Sequence, residues 1–576
     1  MPTPVRSAAE AAYRALRTRR ARYSFADTAA KLVLLHAIAR RGVVARTFRA
    51  LDALHDELLF LCAFPDSAAV QGAARRALRH IEPALRRLSP RQRALAHDSG
   101  MAGSVSAYAP AAEVAEWITG RWPRAAELDW DAIDDTSTID GLIRPVLHPA
   151  EEDAFESGEF STREWVDAMR DTRRESALAW LIRSAASAPA TAHAAFRAQY
   201  DLREPPVRWR LSRSPASVTH NALSTQALVA RAGMRRVTDN AVAGIEEPLP
   251  GIVLCDAHAA AAVIDVARAT LAARCREVFA FSHANPEEVW WCPLGEGVAL
   301  AVVGVRTERR FSLESNYGYV LFSNGVPVGY GGVTPLWHQA NTGINIFAPF
   351  RGSEAAFLWQ QTLRAFHTLF GVTRFVVDAV QFGDENDEAI ASGAYWFYWR
   401  LGFRPREMAL RARAEREAAR LVKSRTKKSS AATLRALAHG TLELVLPGGG
   451  SHPYFPDSFL VRCAHGAARL LEHTHPHDHR AAATKIAADV ARSLGLPAND
   501  PFAAFTAHEH EAFVRLAPLV QLADVASGLN GRQRSTMVAL MRAKGGPTER
   551  HFVAAALAQP ALMAGLHAYA SEWTPK

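Results

Sequence analysis

Residues 319–405 constrain the fold most, because their hydrophobic pattern switches repeatedly between strand-like alternation and helical spacing. YVLFS and VPVGY are short runs rich in β-branched and aromatic residues. Asn324-Gly325 separates them, and both positions accept positive φ, so the pair predicts a hairpin. INIFAPF follows as an extended run whose Pro349 cannot sit in a central ladder. Ala356, Trp359, Leu363, Phe366 and Phe370 then fall on one helical stripe, with Gln360, Arg364 and His367 on the outer face. RFVVDAVQF reads as a further strand. AIASGAYWFYWRLGFRP reads as a helix, with Ile390, Ala394, Phe397 and Leu401 on one face.

A chain of 576 residues exceeds one ordinary domain. The pattern divides it into a helical N-terminal domain at 1–200, an irregular connector at 201–250, a central domain at 251–410 and a helical C-terminal region at 411–576. Leu51, Leu54, Leu58 and Leu61 share one helix face, and Val70, Ala74, Ala77 and Ile81 mark the next helix. Before the hairpin, a helix is expected over 257–279. VALAVVGV, RRFSLES and YGYVLFS then have strand chemistry. The segment 406–428 is charge-dense and reads as a solvated helix or arm.

Hydrophobic residues make up 49% of the chain and charged residues 22%, which fits a globular class with a large core. The net charge is +9, but the arginines are spread among Ala, Glu and Asp rather than gathered on one arm. Nucleic-acid binding is therefore not expected. Five cysteines are scattered without a CxxC pair, which points to free thiols in a reducing compartment, and hence to the cytoplasm. No run of about 18 uncharged apolar residues occurs, so no membrane span is expected. The N-terminus lacks the apolar core of a signal peptide. The alternating histidines of 472–479 form a loop that binds metal adventitiously, not a defined site.

The order of segments in 319–405 resembles the acyl-CoA-binding core of the GNAT superfamily of N-acyltransferases. The resemblance covers under a third of the chain. It implies an α+β fold, with a central GNAT-like mixed sheet between helical flanks. It also implies acetyl-CoA as co-substrate, with no metal. In that superfamily the strand equivalent to Ile346, Phe347 and Ala348 splays from its neighbour and leaves backbone groups for the pantetheine arm. The turn Arg351-Gly352-Ser353-Glu354-Ala355-Ala356 corresponds to the pyrophosphate loop, where a helix start offers free N–H groups to an anion. Arg351 and Ala356 match the superfamily pattern, whereas Glu354 replaces its middle glycine. A carboxylate there would compete with phosphate for the same donors unless it points away.

Tyr398, followed by Gly402-Phe403, matches the superfamily's Tyr-x-x-x-Gly-Phe ending, whose tyrosine protonates the departing thiolate. A phenol with pKa near 10 keeps its proton at neutral pH. The residues alone fit equally a tyrosine packed in an aromatic core. Asp378 is the candidate general base, since an acid within an apolar strand is costly to bury unpaired; local hydrogen bonds are the alternative. Gln381, Glu385, Asn386 and Glu388 lie where the resemblance places substrate loops. The spacing from Ala389 to Tyr398 is longer than the family's, which implies an extra turn around Ser392 and Gly393 or a different role for Asn386. The implied activity is acyl transfer to an amine by direct attack, with the acceptor unidentified. Two alternatives stand beside it: an interaction protein that keeps the fold without catalysis and binds a protein partner through its helical flanks, and an acyltransferase acting on a protein or RNA.

Overall fold

The structure is a computed structural model that describes residues 8–212, 214–224, 227–237, 241–352, 354–423 and 428–573. It is an α+β protein with a large mixed sheet and helices at both ends. In the N-terminal region β1 (Val105–Tyr108) and β2 (Ala126–Leu128) flank β3 (Val207–Arg210) in a small antiparallel sheet. That sheet was not expected in a region read as helical. Its signal is the short alternation of buried Val207 and Trp209 with exposed Arg208 and Arg210, set within an Arg- and Pro-rich segment.

Ten strands of the described residues form the main sheet. They are β4 (Val253–Leu254), β5 (Ala284–Gly295), β6 (Val298–Val305), β7 (Tyr317–Ser323), β8 (Val326–Leu336), β9 (Gln339–Thr342), β10 (Asn345–Ile346), β11 (Arg374–Val377), β12 (Arg404–Pro405) and β13 (Leu442–Val445). The order is β12-β13-β11-β9-β8-β7-β6-β5-β4, with β10 paired to β8. Only β9 and β11 run parallel. They are joined through the Ala355–Phe370 helix, as a parallel pair requires a crossover.

The hairpin between β7 and β8 forms as expected, with Asn324 at φ 48° and Gly325 at φ 79°. Its turn also docks on the Phe48–Ala63 helix: Ser323 Oγ and Asn324 Nδ2 both donate to the Ala63 carbonyl, at 2.6 and 3.0 Å. That carbonyl would otherwise be an orphan of the helix end.

Two elements depart from the pattern. RRFSLES makes no strand; a 3₁₀ turn at Thr307–Arg309 leads instead to a buried Arg310. Its guanidinium donates to the carbonyls of Val305, Lys544, Gly546 and Pro547, so the segment anchors the C-terminal region rather than extending a ladder. Second, the C-terminal region is not wholly helical. β13 inserts between β11 and β12, with Leu442 and Leu444 buried.

The Ala355–Phe370 helix buries Trp359, Leu363, Phe366 and Phe370 as its spacing requires. Its outer face is covered as well. Gln360 donates to the Ala241 carbonyl, and Arg364 to the Glu247 and Pro248 carbonyls. The connector thus wraps the helix, and its polar side chains satisfy backbone that has no ladder of its own. The helix expected over 257–279 splits into Ala257–Ala272 and Phe279–Ser282. Met408–Val422 is the expected solvated helix, burying only Ala414. The C-terminal helices pack around a second core that includes Trp337 and Phe455.

No single helix of the described residues is long and apolar enough to cross a membrane; only the bent pair Arg550–Leu557 and Pro560–Glu572 has the length and composition together.

Candidate active site

The site forms where the sheet opens beside one strand. β9 pairs with β8 on one side and, at Gln339, Ala340 and Asn341, with β11 on the other; beyond it the β11 ladder ends and the β8 ladder breaks, to resume at Asn345 and Ile346 as β10. Gly343 and Ile344 lie between these ladders, so their polar groups need other partners. The Tyr319 hydroxyl donates to the Gly343 carbonyl at 2.5 Å. The Tyr398 hydroxyl faces the Ile344 N–H, which draws its pKa down against the effect of burial. One phenol, Tyr319, therefore braces the splayed backbone, and a second lies beside it.

Gly331, on β8 opposite Tyr319, makes room for this arrangement. A Cβ there would fall 2.4 Å from the Gly343 oxygen and 2.5 Å from the Tyr319 hydroxyl. Gly331→Ala is expected to lower stability by about 1–3 kcal/mol through overpacking. Chemical denaturation checks this, and an unchanged midpoint would mean that the splay has slack.

Beside the splay lies a cleft of about 340 Å³. One wall carries Ile344, Ile346, Arg351, Gly352 and Ala355; the other carries Gln381, Asn386, Glu388 and Tyr398. Eight of the residues singled out in the sequence thus meet in one place. Arg351 donates through Nε to the Ile346 carbonyl at 3.0 Å and through Nη1 to Glu388, an exposed pair that ties the two walls together. Gln381 packs on Gly343, where a Cβ would lie 2.7 Å from its amide oxygen. Asn386 caps the Asp387–Ser392 helix by accepting from the Ala389 N–H at 3.0 Å, and donates to the Val380 carbonyl. Gly393, at φ 70°, ends that helix and starts Ala394–Arg400. The long spacing to Tyr398 is therefore a break between two short helices.

The other sequence candidates lie elsewhere. Phe347 turns into the core, stacked on Tyr330 at 5.3 Å, with the Arg274 guanidinium 4.0 Å from its ring centre. Ala348 opens a 3₁₀ turn at the surface, and Ala356 packs against the core. Glu385 is exposed, at φ 48°, outside the cleft lining. Ser353 lies outside the described residues. Glu354 is fully buried, and its carboxylate accepts from the Arg231 guanidinium and, at 2.6 Å, from the Arg235 N–H. It makes no capping bond to its own helix, so it leaves those N–H groups free of competition. Asp378 faces Asp457, and the surrounding protein and that second carboxylate both raise its pKa. It also acts on Glu314 and does not line the cleft with Tyr398. At the end of β11 Asp378 is exposed to solvent, so it is not the acid buried unpaired in an apolar strand that its sequence suggested.

Tyr398 is buried to 2% exposure, edge-on to Trp359, Phe382 and Phe403. Burial raises its pKa well above the usual phenol range, with the Ile344 N–H opposing. Its proton is held throughout the neutral range. Tyr398 lines the cleft, so its O–H can donate toward it. The side chain is thus packed in the aromatic core and also lines the cleft.

Sequence reasoning missed Tyr319, Ile344 and Arg231. Tyr319 carried the signal of a phenol on a core strand, which must find an acceptor; Ile344 and Arg231 carried none. Away from the cleft, Asp52, His55 and Asp56 hold their ligand atoms within 4.8 Å of one another. The His55 Nε2 is engaged with the Thr219 hydroxyl at 3.0 Å, and the Arg274 charge acts on Asp56. The chain matches no family model, no curated protein and no solved structure.

Proposed function

We propose that the chain is an acyl-CoA-dependent N-acyltransferase with a GNAT-like central domain. The observation that carries this reading is the splay at Gly343 and Ile344, with the Tyr398 hydroxyl held against it inside the cleft that Arg351 borders. The backbone of β10 would receive the pantetheine arm, and the turn from Arg351 to Ala355 the pyrophosphate. The amine lone pair attacks the thioester carbonyl; the C–N bond forms and the C–S bond breaks. Tyr398 gives its proton to the departing thiolate and regains one from solvent. The carboxylate that lines this cleft is Glu388, already paired with Arg351, so the amine sheds its proton through water.

The same Arg351–Glu388 pair favours a second reading, a non-catalytic protein whose cleft is closed on its anion side. Ligand binding separates the two. Acetyl-CoA is expected to raise the melting temperature by mass action, about 2.7 kcal/mol of stabilisation at a hundredfold excess over Kd. Arg351→Glu is expected to remove that shift. It costs the apo protein under about 1 kcal/mol, because the pair it breaks is solvent-exposed. Absence of any shift in the wild type at millimolar acetyl-CoA would rule out the enzyme reading.

A further inference from the structure

A second cleft shares no lining residue with that of Tyr398. It measures about 970 Å³ and lies between the helices Phe48–Ala63, Ala68–Leu78 and Ile81–Arg86 and the segment 218–224. That volume is at the upper end of small-molecule sites. We propose that it binds a nucleotide-sized small molecule bearing a di- or triphosphate.

Four arginines border it: Arg75, Arg79, Arg86 and Arg87. They stand at the C-terminal ends of two successive helices, where the helix dipole favours cations in any protein. That preference does not explain why all four border one cleft. Arg86 pairs with Glu82, the only carboxylate of the lining. Arg75, Arg79 and Arg87 have no carboxylate within ion-pair distance among the described residues, and all three are exposed. Arg75 and Arg79 are one turn apart, a spacing at which like charges repel. A polyphosphate would relieve that repulsion and accept charge-assisted hydrogen bonds from several guanidinium forks at once.

The rest of the lining suits a body rather than a bare anion. Leu59, Leu78, Val218 and Val326 supply apolar wall. His220 lines the cleft with a ring that makes no hydrogen bond among the described residues, so it offers a donor or acceptor to the ligand. The segment carrying it is fixed: Thr219 accepts from the Ala102 N–H at 2.9 Å, and Asn221 donates to Val266 and Thr270. Preformed walls of this kind are what a specific pocket needs. A nucleic-acid track would instead need aromatic platforms for stacking along an extended groove, and no Phe, Tyr or Trp lines this cleft.

The test is isothermal calorimetry with ADP and with pyrophosphate on the full chain. Both are expected to bind, ADP more tightly because of the apolar wall. Arg75→Gln/Arg79→Gln is expected to weaken ADP binding about 10- to 100-fold, the range for lost charged hydrogen bonds. Arg91→Gln, an exposed arginine outside the cleft, should leave it unchanged. Arg351→Glu should leave the ADP binding that depends on Arg75 and Arg79 intact, and Arg75→Gln/Arg79→Gln should leave the Arg351-dependent part of the acetyl-CoA melting shift intact, so the two sites stand or fall separately. Failure of ADP and pyrophosphate to bind at millimolar concentration overturns the proposal. So does ADP binding that is lost in Arg351→Glu, or an oligothymidylate that binds far more tightly than ADP.

Discussion

Tyr398→Phe is expected to lower the turnover of acetyl-CoA with an amine by about 100- to 10,000-fold, the range for general acid catalysis. Acetyl-CoA affinity is expected to stay within a few-fold. The change removes one oxygen and keeps the ring, so the edge-on contacts with Trp359, Phe382 and Phe403 persist. What is lost structurally is the contact of the hydroxyl with the Ile344 N–H, at most about 1 kcal/mol. Stability and rate therefore move on different scales, and measuring both assigns the role. A large rate loss with a small stability loss marks the proton donor. Unchanged turnover would leave Tyr398 as a brace for the splayed strand, and thiolate release to water. In the wild type the raised pKa keeps the phenol protonated, so no loss of activity from its ionisation should appear between neutral pH and pH 10.

The parts of this site legible in the sequence were those fixed by local rules. The Asn324-Gly325 hairpin follows from backbone conformation, and the inner stripe of Ala355–Phe370 from helical spacing. Both needed only nearest neighbours. Arg351, Asn386 and Tyr398 were found by their order along the chain, and the fold brings them to one cleft. Features set by distant chain were not legible. β13 lies more than sixty residues beyond β11, and nothing in LELV says that its partner is RFVV. The resemblance puts Phe347 on the splayed cofactor strand, yet its ring packs inward against Tyr330 and Arg274. Asp378 looked like a buried base beside the cleft; its position at the end of β11 turns it toward Asp457 on the C-terminal side. The covering of the outer face of Ala355–Phe370 depends on a connector with no period of its own, so composition could not show it.

Glu354→Gly tests the largest such non-local effect. As a residue of a phosphate-binding turn, Glu354 should be a competitor, and its removal should tighten acetyl-CoA binding. Its surroundings give the opposite weight. Both its side chain and that of Arg231 are wholly shielded from solvent. Arg231 lies over the Phe64 ring at 5.3 Å and donates to the Glu296 carbonyl at 3.0 Å, so it cannot swing out to water without breaking other contacts. The Glu296 carboxylate stands 3.8 Å away and is itself partly exposed, a weak substitute. Removing Glu354 therefore strands a buried guanidinium, for which the cost is about 3–5 kcal/mol. The expected result is a strongly lowered denaturation midpoint, with acetyl-CoA affinity of the folded protein within a few-fold of wild type. Arg231→Met alone should be similarly costly, because it strands the carboxylate instead. The double variant Arg231→Met/Glu354→Gln should lose much less than the sum of the two, since the charges that need each other are gone together. An unaltered midpoint with tighter acetyl-CoA binding in Glu354→Gly would place the carboxylate at the helix start after all, and the Arg231 pair would then contribute nothing to holding the connector against the cleft.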